Sequence, residues 1–329
     1  MKAGTIGTGF ITTWFIECWQ KCEQEVTAVY SRTQEKGQQL ADKYHIAKIY
    51  TDLEAMLNDE EIDLIYVASP NSLHYEQAKQ CLLHNKHVIL EKPFTSTVEE
   101  CEDLIRIANE KHLYLFEGIT SCYLPNLEIL KEKVKEIAPI HIVTCNMSQY
   151  SSKYNAYLKG EKPNVFTTKY SGGALMDLNV YNIHFVTSLF GYPKDLVYIA
   201  NIKEGVDFGG TITFTYDNEL QAILTACKNS FAQSNVQIQG EKGYITIDSA
   251  SSMLSEIALH KPNQEVEILN NQEDGKVHHY YMRYLLDLMK NDDFEGNNKR
   301  LAHTLEVIKI MVKSRRSANI IFDADNKQI

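Results

Sequence analysis

Short apolar strands alternate with helix-period segments over the first 118 residues, and this alternation constrains the fold more than any other feature. The predicted strands are apolar along their whole length, which is typical of a parallel sheet that helices cover on both faces. They span Lys2–Ile6, Val26–Tyr30, Asp63–Ala68, His87–Leu90 and Tyr114–Glu117. The predicted helices span Ile11–Lys21, Gln34–Lys43, Asp52–Asn58, His74–Leu83 and Val98–Lys111. We therefore expect a doubly wound α/β domain over residues 1–119.

The chain changes character after residue 119. Between about residues 195 and 268, apolar and polar residues alternate, as in Thr211–Tyr216. Such alternation is typical of an antiparallel sheet with one apolar and one polar face. The other predicted elements are helices at Asn126–Glu136, His278–Lys290 and Asn298–Ser314, and strands at His141–Gln149 and Asn319–Phe322. Residues 120–329 are expected to form an α+β domain with a large, mostly antiparallel open sheet. Because large exposed apolar faces associate, we expect a homodimer or homotetramer through this sheet.

Composition and charge exclude several classes of function. The net charge of −10 at pH 7 argues against nucleic-acid binding, which requires a basic face. No apolar run approaches the roughly 18 residues of a membrane-spanning helix, and no signal-peptide pattern opens the chain. The seven cysteines include no Cys-x-x-Cys pair, which suits reduced thiols and predicts a cytoplasmic protein. Cys18 and Cys22 lie near tryptophans, so we expect packing there and no metal.

A glycine-rich turn joins the first predicted strand to the first predicted helix. It reads Gly7-Thr8-Gly9-Phe10-Ile11-Thr12, and strand–turn–helix is the context that a dinucleotide-binding fingerprint requires. Gly7 permits the tight turn, and Gly9 lets the backbone approach the pyrophosphate. The start of the helix offers N–H groups and the positive end of the helix dipole to that anion. Thr12 occupies the position where a smaller residue is usual.

The end of the second predicted strand indicates which nicotinamide cofactor is bound. An Asp or Glu there would bind the ribose 2′-hydroxyl of NAD, but the sequence is Tyr30-Ser31-Arg32-Thr33. The Ser31 hydroxyl and the Arg32 guanidinium suit a 2′-phosphate, and Lys36 lies one turn into the next helix. NADP is therefore favoured. In the alternative interpretation Arg32 stacks on the adenine and NAD is also accepted.

Three further segments stand out beside the Gly7/Gly9 turn. They are Ala68-Ser69-Pro70-Asn71-Ser72-Leu73-His74, Glu91-Lys92-Pro93 after Lys86-His87-Val88, and Gly172-Gly173-Ala174-Leu175-Met176-Asp177. With these four segments the chain resembles the glucose–fructose oxidoreductase, inositol dehydrogenase and MocA family of oxidoreductases. The resemblance implies that Lys92 lies beside the nicotinamide and the substrate hydroxyl. It also implies that the cofactor contacts Ser69, Pro70, Asn71, Glu91 and Pro93, with His74 nearby. Taken alone, His74 is equally well explained as a core histidine.

The segment after Gly172-Gly173 is predicted to be a helix that carries a polar stripe. Asp177, Tyr181 and His184 are spaced i, i+4 and i+7, so in an α-helix they fall within roughly 60° of one another. An amphipathic surface helix would also explain this stripe. Members of the family carry either tyrosine or histidine four residues after the aspartate, and histidine is typical of the inositol branch. Tyr181 occupies this position, so the closer resemblance is to the tyrosine-bearing branch. It implies that Lys92 and Tyr181 handle the substrate proton, that Asp177 orients them, and that His184 assists or binds substrate.

The sequence departs from the family pattern on the substrate side. Cys122 stands where many relatives have arginine, and Asn179 stands where glycine often follows the aspartate. Both changes affect the expected substrate more than the hydride chemistry. The stretch 150–162, which contains Lys153, Tyr154, Lys159 and Lys162, is either a solvated loop or a segment that closes over a polyol or an anionic sugar.

Two classes of function fit these residues. The favoured one is an NAD(P)-dependent dehydrogenase or reductase that acts on a hydroxyl or carbonyl carbon of a sugar, a polyol or a related small molecule. The other is a catalytically silent NAD(P)-binding sensor or corepressor. Because a sensor would be free to lose Lys92 and Tyr181, the presence of both favours the enzyme. A glycosidase that oxidises its substrate transiently would need the same two residues.

Overall fold

Six parallel strands form the sheet of the first of two compact units into which the described residues, 1–273 and 275–327, separate. The strands are β1 (Lys2–Ile6), β2 (Glu25–Tyr30), β3 (Lys48–Tyr50), β4 (Leu64–Val67), β5 (His87–Glu91) and β6 (Leu115–Gly118). Their order, β3-β2-β1-β4-β5-β6, is that of a dinucleotide-binding doubly wound sheet. Ligands of such sheets bind at the carboxyl ends of the strands, where the order reverses between β1 and β4.

Helices connect these strands in the order that the sequence predicts. They are α1 (Phe10–Lys21), α2 (Gln34–Tyr44), α3 (Leu53–Leu57), α4 (His74–Leu83) and α5 (Val98–Glu110). Local sequence explains where two of them begin. The Asp52 side chain accepts a 3.0 Å hydrogen bond from the backbone N–H of Glu54, and Thr97 forms a capping box with Glu100. The predicted α/β class is confirmed for this part of the chain.

An eight-stranded sheet forms the core of the second unit. Its strands are β7 (Ile140–Ser148), β8 (Asp195–Lys203), β9 (Val206–Thr215), β10 (Gln221–Cys227), β11 (Asn235–Gly240), β12 (Gly243–Ile247), β13 (Ile257–His260) and β14 (Glu267–Leu269). Their order is β14-β13-β12-β11-β7-β10-β9-β8, and β7 pairs with β10 in parallel while the other pairs are antiparallel. The predicted, mostly antiparallel open sheet is confirmed.

The helices after residue 119 are α6 (Pro125–Ile137), α7 (Tyr154–Leu158), α8 (Val180–Phe190), α9 (His278–Lys290) and α10 (Phe294–Ser317). A π-helical turn at Leu175–Asn179 precedes α8. The first unit comprises Met1–Gly118 and His278–Ile308, and the second comprises Ile119–Val277 and Lys309–Lys327. These units differ from the predicted domains 1–119 and 120–329, because α9 and the first part of α10 belong with the parallel sheet. None of the helices in the described residues is long and apolar enough to cross a membrane.

The predicted last strand at Asn319–Phe322 is wrong. Asn319 lies in a turn with a φ of 58°, and the segment pairs with no strand among the described residues. Local contacts satisfy its backbone instead. The N–H of Ile320 donates to the backbone carbonyl of Arg315 at 2.9 Å. The Arg315 side chain donates to the carbonyl of Ile320 at 3.2 Å, and the Asp325 carboxylate accepts from the N–H of Phe322 at 2.8 Å. Arg315 and Asp325 also form an ion pair at 2.6 Å. Ile320 and Phe322 are buried, which explains why the segment reads as a strand.

Candidate functional site

The glycine-rich turn has the geometry that a pyrophosphate site requires. Gly7 has a φ of 114°, and a Cβ at this position would lie 2.7 Å from the carbonyl oxygen of Ala68. At Gly9 a Cβ would meet nothing within 4 Å, so the approach to the backbone is open. Among the described residues no side chain caps the start of α1, and the first turn of this helix contains no acidic residue. The first backbone N–H groups of α1 are therefore suited to bind an anion.

A cavity of about 400 Å³ lies beside this turn. Its lining residues belong to the turn and to one face of α2: Thr8, Gly9, Lys36, Gln39, Leu40 and Lys43. The structure thus brings the predicted residues Thr8, Gly9 and Lys36 together. Lys43 was not predicted, although its spacing of seven from Lys36 places both lysines on one helix face. The wall of the cavity that α2 forms is basic.

The residues at the end of β2 differ in exposure. Ser31 is buried, and its N–H donates to the carbonyl of Tyr50 at 3.0 Å. Arg32 is exposed and is not among the residues that line the cavity in the described part of the chain. Phe10 at the start of α1 is 72% exposed, whereas Ile11 is half-buried. Thr12 is buried, and no hydrogen bond to its hydroxyl is found among the described residues.

His74 connects the two loops that follow β4 and β5. Its Nε2 lies 3.0 Å from the carbonyl oxygen of Ser69, and its Nδ1 lies 2.9 Å from that of Pro93. The ring is buried, and burial lowers its pKa. A neutral imidazole has one N–H and donates to one of the two carbonyls. His74 therefore lies between the loops that carry Pro70, Asn71 and Lys92 and donates a hydrogen bond to one of the two loops.

The Glu91-Lys92-Pro93 sequence lies at the carboxyl end of β5, and the Lys92–Pro93 peptide is cis. Glu91 is buried and accepts a 2.5 Å hydrogen bond from the hydroxyl of Tyr66. Burial raises the pKa of the Glu91 carboxyl to about 7, although Tyr66 and the Lys92 ammonium oppose the rise. Lys92 itself is half-buried. The carboxyl end of β5 thus carries the predicted Lys92 next to Glu91, whose carboxyl changes charge near neutral pH.

In the second unit, steric constraints explain the Gly172-Gly173 sequence. A Cβ on Gly172 would lie 2.6 Å from the carbonyl of Val165. Gly173 has a φ of 115°, and its Cβ would lie 2.1 Å from Oδ1 of Asp207. Asp207 is buried, and its other carboxylate oxygen accepts from the N–H of Leu175 at 2.6 Å. The two glycines therefore admit the carboxylate that anchors the π-helical turn.

Asp177 lies inside this π-helical turn, and its carboxylate accepts a hydrogen bond from the ammonium of Lys228. Lys228 follows β10 directly, and its side chain is 3% exposed. The polar stripe of Asp177, Tyr181 and His184 was calculated for an α-helix, but the turn at Leu175–Asn179 is wider than an α-helical turn. Lys228 was not predicted. Its only signal in the sequence is a lysine directly after a strand with buried apolar residues.

Tyr181 and His184 lie in α8. Tyr181 is half-buried, and its carbonyl accepts from the Ser121 hydroxyl at 3.3 Å. His184 is buried, and its Nδ1 lies 3.6 Å from the Cys122 sulfur. Cys122, one of the two departures from the family pattern, therefore contacts a predicted site residue. The other departure, Asn179, donates to the carbonyl of Leu224 at 3.2 Å and ties the π-helical turn to β10.

The stretch 150–162 contains the short helix α7. Tyr154 is buried against Phe166 and Phe208, with ring centroids 5.9 and 6.0 Å away. Lys153, Lys159 and Lys162 are exposed. A second cavity, of about 410 Å³, lies where β7 ends. It is lined by Met147, Ser148, Gln149, Tyr150, Phe231, Ala232, Ser234, Ala250 and Ser252.

Known proteins resemble this chain in both of its parts. Residues 1–119 match the family model described as an oxidoreductase family with an NAD-binding Rossmann fold, and residues 131–246 match the GFO/IDH/MocA C-terminal domain. The chain is 35% identical to scyllo-inositol 2-dehydrogenase (NADP(+)) IolU of Bacillus subtilis, with 99% of each chain covered. It is 32% identical to the uncharacterized oxidoreductase YgjR of Escherichia coli, with 100% of each covered.

A solved structure has the same fold at lower identity. The 3-ketoreductase KijD10 of Actinomadura kijaniata, in complex with NADP and TDP-benzene, superimposes with a TM-score of 0.83 at 19% identity. The match covers 96% of this chain and 97% of that one. At this identity the likeness establishes only the fold, and the chemistry has to be inferred from the residues of the site.

Proposed function

The chain belongs to the GFO/IDH/MocA family of oxidoreductases, and we propose that it transfers hydride between NADP and a ring carbon of an inositol or a similar polyol. As a member of this family it is a nicotinamide-dependent oxidoreductase that acts on hydroxyl or carbonyl carbons of sugar- and polyol-like compounds. Tyr181 stands where the inositol branch of the family has histidine, but the 35% identity to an NADP-dependent scyllo-inositol dehydrogenase, over almost all of both chains, supports the narrower proposal and carries it. Two relatives with assigned activities, a scyllo-inositol 2-dehydrogenase and a trans-1,2-dihydrobenzene-1,2-diol dehydrogenase, are enzymes, which favours an enzyme over a silent sensor.

The cavity beside the glycine-rich turn supports NADP as the cofactor. Two lysines, Lys36 and Lys43, line it together with Thr8 and Gly9 of the turn. Ammonium groups there would bind a 2′-phosphate, and the exposed Arg32 at the end of β2 would add a guanidinium. We assign the pyrophosphate to the open backbone at Gly9 and the uncapped start of α1. When bound, the nicotinamide supplies the acceptor or donor of the hydride.

Lys92 and Tyr181 are the residues that we assign to the substrate oxygen. The Lys92 ammonium, at the edge of the parallel sheet, binds that oxygen and stabilises its negative charge during oxidation. The Tyr181 hydroxyl takes the alcohol proton as hydride leaves the carbon, and it returns the proton in reduction. Asp177 and His184 bind or orient substrate hydroxyls. The sequence motifs and the family support these roles.

An oligomer and a cytosolic location complete the proposal. Val197 and Ile199 of the edge strand β8 are 61% and 72% exposed, which suits association through the eight-stranded sheet. The cysteines form no disulfide among the described residues, which is compatible with a reducing compartment.

One experiment tests the proposed function directly. The purified protein is incubated with NADP⁺ or NAD⁺ and a series of inositols and sugars, and formation of the reduced nicotinamide is followed by absorbance. We expect turnover of scyllo-inositol or another inositol with a preference for NADP⁺. Turnover of acyclic or non-carbohydrate alcohols alone would contradict the proposed substrate class, and a preference for NAD⁺ would contradict the proposed cofactor.

A further inference from the structure

A lysine ammonium lies inside the second unit, next to the predicted site aspartate. The Lys228 side chain is 3% exposed, and the Asp177 side chain, which accepts its hydrogen bond, is 31% exposed. The cation is therefore inside the fold, while its partner carboxylate reaches the surface. Because burial of a lone ammonium is unfavourable, the ionised Asp177 carboxylate stabilises the buried Lys228 ammonium.

The Lys228 backbone and side chain are both held in place. The backbone N–H donates to the carbonyl of Phe208 at 2.7 Å, and the carbonyl accepts from the N–H of Ser151 at 2.8 Å. The ammonium lies 5.8 Å from the ring centroid of Phe166, within the range of a cation–π contact. Lys228 thus joins the ends of β9, β10 and β7, and its charged group has a fixed direction.

The aspartate lies in an unusual backbone element. π-helical turns are rare and frequently occur at functional sites. The turn at Leu175–Asn179 is anchored at its start by Asp207 and at its end by Asn179, so the Asp177 Cα is fixed as well. Both ends of the ion pair are therefore set by the surrounding fold, as a binding site requires.

We infer that Lys228 is a positioning residue, which keeps the partly exposed Asp177 carboxylate ionised and oriented as a hydrogen-bond acceptor for a substrate hydroxyl. This inference rests on the proposed function, because it names how the same site recognises its substrate. An ion pair has no net charge, so the site favours an uncharged polyol, whose hydroxyls donate to the carboxylate. A substrate carboxylate at this position would be repelled by Asp177.

Other titratable groups also face Lys228, so their contributions have to be separated. Burial raises the pKa of Asp207, on β9, to about 6, although the Lys228 charge opposes the rise. Tyr198, on β8, donates to Asp207 at 2.8 Å. Loss of the Lys228 charge should therefore affect the protonation of both aspartates. In Asp177→Asn residue 177 cannot ionise, so any remaining effect of the Lys228 charge on the pH profile comes from the protonation of Asp207.

The test compares variants of the holoenzyme with scyllo-inositol and NADP⁺ as the probes. Lys228→Met should lower kcat/KM about ten- to a hundredfold, mainly through a higher KM, because a well-placed charged acceptor is lost. The acid limb of its pH profile should move to higher pH, since Asp177 no longer has a cation that favours ionisation. Lys228→Arg should retain most of the activity.

The matched control is Lys203→Met. Lys203 also lies over a phenylalanine ring, 5.6 Å from the centroid of Phe208, but it is exposed. This change should leave kcat/KM and the pH profile as they are. If Lys228→Met lowers Tm but changes neither KM nor the pH profile, Lys228 is a structural residue and the inference is overturned.

A double variant keeps the test decisive if Lys228→Met does not fold. Lys228→Met combined with Asp177→Asn removes both charges of the pair, so neither partner is left without the other and the protein should fold. If Lys228 acts through Asp177, the double variant should have the same kcat/KM as Asp177→Asn alone. A further drop of tenfold or more would overturn the inference.

A readout without turnover separates this inference from the proposed function. If the wild type oxidises no inositol, the proposed function fails, and carbon-13 NMR of aspartate-labelled protein still tests the pair. The Asp177 signal, assigned by its loss in Asp177→Asn, should titrate at higher pH in Lys228→Met or Lys228→Gln than in the wild type. Titration at the same pH would show that Lys228 does not control the charge of Asp177.

Discussion

Tyr66 donates a 2.5 Å hydrogen bond to Oε1 of Glu91, the residue directly before Lys92. Both residues are buried, and burial raises the pKa of Glu91 to about 7. The carboxyl next to the predicted catalytic lysine therefore exchanges its proton near physiological pH. Because the pKa of Glu91 is higher in the folded protein than in the unfolded chain, the stability of the first unit depends on pH through this residue.

Glu91→Gln should become more stable relative to the wild type as the pH rises. The folded state raises the pKa from 4.5 to about 7, so the folded protein holds the Glu91 proton more tightly than the unfolded chain does. The contribution of Glu91 to stability is then complete below about pH 4.5 and is lost as the pH rises through about 7. Glutamine cannot ionise and avoids this loss, which is at most ~3 kcal/mol. Tm of the cofactor-free protein at about pH 5 and about pH 8 measures the effect.

Glu60→Gln is the control for this prediction. Glu60 is an exposed glutamate of the same unit, and its replacement should shift Tm by a similar amount at both pH values. If the difference in Tm between Glu91→Gln and the wild type is the same at both, the proton at Glu91 is not linked to folding.

Gly173→Ala should destabilise the protein more than Gly160→Ala. Both glycines have positive φ, 115° and 86°, so both changes carry a backbone cost of roughly 1–2 kcal/mol. At Gly160 the new Cβ meets nothing within 4 Å, whereas at Gly173 it lies 2.1 Å from Oδ1 of Asp207. The clash should add about 1–3 kcal/mol. Urea unfolding of the two variants compares them, and equal losses would mean that Asp207 moves away without cost.

Local patterns were sufficient to predict most of the fold. The apolar runs of the parallel sheet and the alternation in the second sheet are properties of neighbouring residues, so β1, α4 and α9 begin and end as predicted. The strand β3 was missed because its three residues are only half-buried and form no apolar run. The strand predicted at Asn319–Phe322 was wrong. Its apolar residues resemble those of a strand, but Arg315 and Asp325 hydrogen-bond to the backbone of this segment, which pairs with no strand among the described residues.

The candidate site divides in the same way. Gly7, Gly9 and Lys92 belong to short motifs, which a sequence shows directly. Lys228 contacts an aspartate 51 residues away, and no local pattern predicts that contact. The π-helical turn that holds Asp177 was also missed, because helical spacing was counted at the angle of a regular α-helix. Contacts between residues that are far apart in the sequence determine both the Lys228–Asp177 pair and the π-helical turn.

Replacement of the basic residues near the cavity should change cofactor preference. Arg32→Glu should weaken NADPH binding about ten- to a hundredfold and spare NADH, because a carboxylate would repel the 2′-phosphate and a charge-assisted contact would be lost. Lys43→Ala should act in the same direction, since Lys43 lines the cavity beside Gly9. Fluorescence titration with each cofactor gives the Kd values. Lys21→Ala, at the far end of α1, is the control, and an unchanged ratio of the two Kd values in Arg32→Glu would show that Arg32 is not the selector.

Ile199→Glu should disrupt the proposed oligomer. Ile199 lies on the edge strand β8 and is 72% exposed, and a carboxylate there would be buried without a partner in a sheet-mediated interface. Ile321→Glu is the control, since Ile321 is 50% exposed but lies outside the sheet. Light scattering should give an oligomer for the wild type and the control and a monomer for Ile199→Glu. A wild type that is monomeric at every concentration, with the 37.7 kDa mass of one chain, would contradict the proposed assembly.

Replacement of Lys92 and Tyr181 tests the proposed chemistry itself. Lys92→Ala should remove most turnover while cofactor binding is largely kept, because the ammonium acts on the substrate oxygen and the glycine-rich turn holds the pyrophosphate. Tyr181→Phe removes only the hydroxyl and should lower kcat about 10²–10⁴-fold if that hydroxyl carries the proton. If the two residues act as one unit, the double variant should be little worse than either single variant, because the effects of coupled catalytic groups are not additive.

Steady-state rates alongside cofactor titration separate these outcomes from a loss of folding or of cofactor binding. Tyr244→Phe is the matched control, because Tyr244 lies on β12, stacks on His260 at 4.3 Å and has no assigned role in the chemistry. Full turnover in Tyr181→Phe would transfer the proton to another group, with His184 as the next residue to replace. Full turnover in Lys92→Ala would refute the mechanism, since no other residue in it is assigned to stabilise the developing charge on the substrate oxygen.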